Sequence, residues 1–96
     1  MQLELTVRHF DLSDNYKEYA IQEVESLTQY WDRIVDGQIV FDQEGSDYMV
    51  EVILRVSGKT LAVSDTSDDI MKAIDSAVNK MRRRLKKYKG KIISHS

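Results

Sequence analysis

Tyr48-Met49-Val50-Glu51-Val52-Ile53-Leu54-Arg55-Val56-Ser57-Gly58-Lys59 is the stretch that decides the fold. Tyr48, Val50, Val52, Leu54 and Val56 alternate with Met49, Glu51, Ile53, Arg55 and Ser57, which is the period of a strand with one buried face. Ser57-Gly58-Lys59 then reads as a tight turn, so Thr60 to Ser64 is expected to pair back as a hairpin. Upstream, Gln43 to Asp47 is a turn cluster, and Gln38 to Asp42 before it predicts another strand with Ile39 and Phe41 on one side. Leu3, Leu5 and Val7 alternate with Gln2, Glu4, Thr6 and Arg8 and predict a first strand.

Two helical periods flank these strands. Tyr16, Tyr19, Ala20, Val24, Leu27 and Tyr30 or Trp31 recur at helical spacing behind Ser13, a good N-cap, and predict a helix over 13–31. Ile70, Ile74, Ala77, Val78, Met81, Leu85 and Tyr88 form a second stripe behind Thr66-Ser67-Asp68-Asp69, which supplies cap and first-turn acids. Its helix is expected to run from about 68 to about 89, with Gly90 as the terminating residue. The order is β-α-β-β-β-α. A right-handed crossover would make the first two strands parallel, and the rest form an antiparallel meander. Both apolar stripes must be buried on one face of the sheet. The predicted class is α+β, a two-layer sandwich of two helices on a four-stranded mixed sheet.

Ninety-six residues make one domain, 1–96. The chain has no cysteine, which excludes a disulfide framework and thiolate chemistry and fits a reducing, cytoplasmic setting. No apolar run approaches a membrane span, and the alternating, acid-bearing start is not a signal peptide.

Charge is distributed unevenly. Residues 77–96 carry eight basic residues and no acid: Lys80, Arg82, Arg83, Arg84, Lys86, Lys87, Lys89 and Lys91. Residues 1–76 hold all 16 acids against 6 bases, a net of −10. On a helical wheel the apolar stripe occupies a narrow arc around Met81, and the basic residues of about 77–91 spread over the rest. A solvated helix end does not account for this, because the helix dipole acts only over the last turn while these charges extend for about three. Lys80–Arg84, Arg82–Lys86 and Arg83–Lys87 are moreover like-charged i,i+4 pairs, each costing about 0.2–0.5 kcal/mol. Internal neutralisation by the acidic body is the other bland account, and the outward arc limits it to individual pairs.

A basic surface of this kind is built for a polyanion. A membrane-surface helix needs its apolar face exposed, and here that face belongs to the core, so nucleic acid is preferred. The outer sheet face is expected to show Glu4, Thr6, Arg8, Glu51, Ile53 and Arg55, with no aromatic platform for single-stranded bases. Structured RNA read through phosphate and shape fits better. Tyr16, Tyr19, Tyr30 and Trp31 are expected to pack in the core and at helix ends. His9 and His95 read as turn and tail histidines, Asp65, Asp68 and Asp69 as capping acids, and no hydroxyl is placed beside a base. No enzyme activity, metal, cofactor or small-molecule substrate is expected.

Three stretches carry a family resemblance. Tyr30-Trp31-Asp32-Arg33-Ile34 resembles a Tyr-Phe-Asp-Arg-Ile pattern, Asp69-Ile70-Met71-Lys72-Ala73-Ile74-Asp75 an Asp-x-x-x-Ala-Ile-Asp helix opening, and Leu85-Lys86-Lys87-Tyr88-Lys89 its basic end. With Arg8-His9 after the first strand, the whole chain resembles the ribosome hibernation promoting factor family, also called ribosome-associated inhibitors and, under an older label, sigma-factor modulation proteins. The resemblance implies a cytoplasmic protein of the short form. Its partners would be the small ribosomal subunit and its 16S-type ribosomal RNA, where it would occlude messenger and transfer RNA sites in idle ribosomes. It implies an RNA surface of Lys80, Arg82, Arg83, Arg84, Lys86, Lys87 and Lys89, with Lys91 in the same basic end and Arg8 and Arg33 as accessories. The chain departs from the family at Glu23 and Ser26, where lysines are common, at Val7, where glycine is common, and at Gly90. The older label also suggests an alternative, a protein-interaction module whose basic helix docks on an acidic partner.

Overall fold

The computed structural model describes residues 1–31 and 33–94, without the side chains of 91–94. Asp32 of the Tyr-Trp-Asp-Arg-Ile motif, the side chain of Lys91, and His95 therefore lie outside the described residues. The elements are β1 (Gln2–Arg8), α1 (Asp14–Glu25), a 3₁₀ turn (Ser26–Gln29), β2 (Ile34–Glu44), β3 (Asp47–Val56), β4 (Lys59–Ser67) and α2 (Ile70–Ser94). The strands form one sheet in the order β1-β2-β3-β4. β1 is parallel to β2, and the other neighbours are antiparallel. This is the α+β architecture expected of the sequence.

Strand parity sorts the two faces. Ile39 and Phe41 of β2, Val50, Val52, Leu54 and Val56 of β3 and Leu61 of β4 are buried in one core with Ala20, Val24 and Leu27 from the α1 side and Ile70, Ala73, Ile74, Ala77, Val78, Met81 and Leu85 of α2. The other face carries Glu4, Thr6, Arg8, Glu51, Ile53 and Arg55, and the cross-strand pair Asp36–Arg55 stabilises it, with Arg55 Nε donating to Asp36 Oδ1 at 3.2 Å. That pair holds the Arg55 pKa above its ordinary value. Val40, on this outer face by its pairing with Thr6 and Glu51, is nonetheless 3% exposed, sheltered under its neighbours.

Three element ends depart from expectation. The first helix leaves α geometry at Glu25 rather than at 31. Ser26 Oγ donates to the Glu23 carbonyl at 2.6 Å and Thr28 Oγ1 to the Glu25 carbonyl at 2.7 Å, and such back-bonding competes with the i−4 ladder. Its N-cap, Ser13, makes no side-chain capping bond, although its carbonyl accepts from Tyr16 and Lys17. β2 begins at Ile34, not Gln38, with a register shift between Ile34 and Asp36. Gly90 does not end α2, which continues to Ser94. One glycine costs a helix about 1 kcal/mol, which weakens a helix without by itself ending it. At the other end Asp69 is the cap, its Oδ1 accepting from the Met71 N–H at 2.9 Å.

The topology fixes where the helices point. β1, β2 and β4 run in one direction, and α1 and α2 follow β1 and β4, so both helices start at the same end of the sheet and run parallel. Tyr19 on α1 ties them by donating to Asp75 Oδ1 on α2 at 2.5 Å. The carboxylate acceptor, with smaller help from burial, pushes the Tyr19 pKa up to about 12. Its folded value lies above the ordinary 10.0, so this contribution is complete below pH 10 and is lost as pH rises through about 12. The melting temperature of the wild type is therefore expected to fall more between pH 9 and pH 12 than that of Tyr19→Phe, as followed by circular dichroism. Equal falls would show that the bond contributes nothing.

Candidate nucleic-acid interface

The β4–α2 connection anchors the basic helix. Asp69 caps it, Ile70 to Leu85 lock one face into the core, and the remaining directions face out. Because α2 runs back along the sheet, its last turns share one end of the molecule with Tyr30, Arg33 and the Ser57-Gly58 turn. Tyr88 Oη donates to the Ser57 carbonyl at 3.3 Å, and the Tyr88 ring meets Trp31 edge-on at 5.3 Å. Gly58, at φ +85°, makes that turn possible.

The basic residues divide into three groups by their contacts. Lys80 is engaged internally. Its Nζ donates to the Ser64 carbonyl at 3.0 Å and lies 3.4 Å from Asp65, so it covers the β4 edge and is partly neutralised. Arg82, Lys86 and Lys89 turn toward Tyr30. The guanidinium of Arg82 and the ammonium of Lys86 lie 5.6 and 5.3 Å from the ring centroid, and Lys89 Nζ donates to the Tyr30 carbonyl at 3.0 Å. This last bond satisfies an orphan carbonyl at the end of the first helix. Arg83, Arg84 and Lys87 are exposed, and none of them has a hydrogen-bond or ion-pair partner among the described residues. Lys80, Arg83, Arg84, Lys86 and Lys87 together line a shallow groove of about 640 Å³.

Among the described residues one acid, Asp65, reaches these cations. Asp42, Glu44, Asp47, Asp68 and Asp69 gather at the end of the sheet where the helices begin, in a molecule 46 Å long. Arg8 sits there too, opposite Asp42 in register, about 20 Å along the strands from the basic end. Beside it His9, in the left-handed region at φ 68°, bonds Asp42 Oδ1 through Nδ1 at 2.7 Å. That bond, with the Gln43 N–H and the nearby Arg8 charge, holds the Asp42 pKa below its ordinary value. Of the two accessories, then, Arg33 lies with the basic end and Arg8 does not.

Sequence reasoning missed Lys59, Tyr30 and Asn79. Lys59 lies 5.6 Å over the Tyr88 ring at the basic end. The topology gave the signal, since the β3–β4 turn must meet the end of α2. Tyr30, expected to pack at a helix end, is 38% exposed, and Tyr16 is exposed as well, whereas Trp31 is buried as expected. Asn79 accepts a hydrogen bond from Arg82. No helix among the described residues is long and apolar enough to cross a membrane.

Comparison with known proteins bears on this surface. Residues 3–93 match the model of the family described as Sigma 54 modulation protein / S30EA ribosomal protein. A ribosome hibernation promoting factor from Escherichia coli K12 is 30% identical over 95 residues, covering 99% of this chain and all of that one. A ribosomal subunit interface protein from Coxiella burnetii has the same fold, with a TM-score of 0.88 at 24% identity over 94% of this chain and 99% of that one. The Protein Y N-terminal domain of Thermus thermophilus superposes with a TM-score of 0.83 at 22% identity, over 92% and 99% of the two chains.

Proposed function

Since the chain belongs to the Sigma 54 modulation protein / S30EA ribosomal protein family, we propose that it is a non-enzymatic cytoplasmic protein that binds the small ribosomal subunit and silences idle ribosomes. The names of its relatives, a hibernation promoting factor and a subunit interface protein, support a ribosomal partner. In this reading residues 1–96 act as one ribosome-binding domain. Its contact is with 16S-type ribosomal RNA, and it inhibits translation by standing where messenger and transfer RNA would bind.

The observation that carries the reading is the trio Arg83, Arg84 and Lys87, exposed and unpartnered among the described residues on a helix whose opposite face is fixed in the core. Phosphate neutralisation is the mechanism such a surface supports, and shape complementarity fixes the site. With about five to seven phosphates neutralised, log affinity falls with log salt at a slope of about −0.9 for each on a duplex-like lattice.

Co-sedimentation of the protein with purified small subunits across a salt series tests this. Binding at low salt that is lost steeply as salt rises is the expected result. Absence of binding at low salt would overturn it. Capture of one non-ribosomal protein from nuclease-treated lysate would then favour a protein-docking module.

A further inference from the structure

Three cations of α2 converge on one neutral residue. Arg82, Lys86 and Lys89 are spaced i, i+4, i+7 along one face, and all three reach Tyr30. A tyrosine ring attracts cations through its quadrupole without cancelling their charge. It therefore holds like charges together while leaving the surface positive. Arg82 is gripped from a second side by its bond to Asn79 Oδ1, and its Nε is buried with no hydrogen-bond partner in the described residues. Tyr30 is itself tied down, its N–H donating to the Leu27 carbonyl at 3.0 Å next to the buried Trp31.

A free lysine or arginine adjusts to any array of phosphates and loses its rotamer freedom on doing so. A held cation has lost that freedom before binding. It rewards an RNA whose phosphates match its spacing and offers little to one whose phosphates do not. The planar guanidinium of Arg82 sharpens this, because its fork accepts only some approach directions.

We infer that Tyr30 is a specificity-determining residue of the interface. Its ring fixes the spacing of Arg82 and Lys86 for one folded phosphate arrangement, beside Lys89 on the backbone carbonyl of the same residue, while Arg83, Arg84 and Lys87 supply attraction to any RNA. The inference rests on the RNA-binding reading above. Tyr30 acts as a positioning residue, through the cations it holds.

The test is the ratio of two affinities of the full chain in one buffer, for purified small subunits and for a uniform poly(A)·poly(U) duplex. Tyr30→Leu lowers this ratio about tenfold, the size expected for loss of two cation–π contacts. Tyr30→Phe keeps the ring and holds the ratio to within about twofold of wild type, while both variants retain the backbone carbonyl that accepts from Lys89. Asn79→Ala, which releases the other side of Arg82, moves the ratio in the same direction as Tyr30→Leu. Melting temperatures check the fold of each variant. A wild-type preference for subunits that survives Tyr30→Leu, or a parallel loss of both affinities, overturns the inference alone. Absence of binding to either RNA at low salt overturns the RNA-docking reading as well.

Discussion

Reversing Arg83, Arg84 and Lys87 to Glu is expected to lower affinity for small ribosomal subunits at least about 100-fold at low salt, because in the proposed interface three neutralised phosphates would become three repulsive contacts. The salt slope of any residual binding falls by roughly 3 × 0.9. The fold survives, since these side chains are exposed and have no hydrogen-bond or ion-pair partner among the described residues. The variant is therefore expected to melt within a few degrees of wild type. This choice of residues comes from the contacts. Reversing Lys80 would also break its bond to the Ser64 carbonyl, and reversing Arg82 or Lys86 would release Tyr30. Unchanged co-sedimentation of the triple variant would sink the proposed interface.

Phe41→Ala produces the largest effect on stability. Phe41 is fully buried on β2, between Val7 and Val50 in register and facing the helices. Truncating such a ring costs about 3–5 kcal/mol, transfer and cavity together. A domain of this size is stable by only about 5–15 kcal/mol. Each kcal/mol is worth roughly 4–8 °C in melting temperature, so a fall of at least ~12 °C is expected in a thermal melt. A fall under about 5 °C would mean that the surrounding core collapses into the space.

Much of this architecture was legible because period two and period 3.6 are local signals. The alternation of β3 identified its inward residues correctly, and the stripe of α2 identified its buried face. The misses have physical causes that operate at a distance. Gly37 interrupts the pattern of β2, yet it pairs with Leu3 and Leu54, and it is glycine because a Cβ there would lie 2.7 Å from Leu54 Cδ2. That demand comes from the neighbouring strand and cannot be read along β2 itself. The site divides in the same way. That its charges are basic and outward was readable. Which of them are held was not, because Lys80 meets a carbonyl 16 residues away and Lys89 one 59 residues away.

The placing of the exposed cations of α2 and of the cluster Asp42, Glu44, Asp47, Asp68 and Asp69 at different ends of a molecule 46 Å long has a consequence for arrival. The formal charge is only −2, so the chain as a whole feels little pull toward RNA. What it feels is a torque, as a compass needle does. The Debye length at physiological salt is about 8 Å, far shorter than the molecule. In the proposed docking, turning brings the basic end into the RNA's field while the acidic cluster stays screened outside it. A flipped approach is repelled before contact. A nearly neutral protein thus gains oriented encounter with a polyanion, without the indiscriminate adhesion of a uniformly basic one.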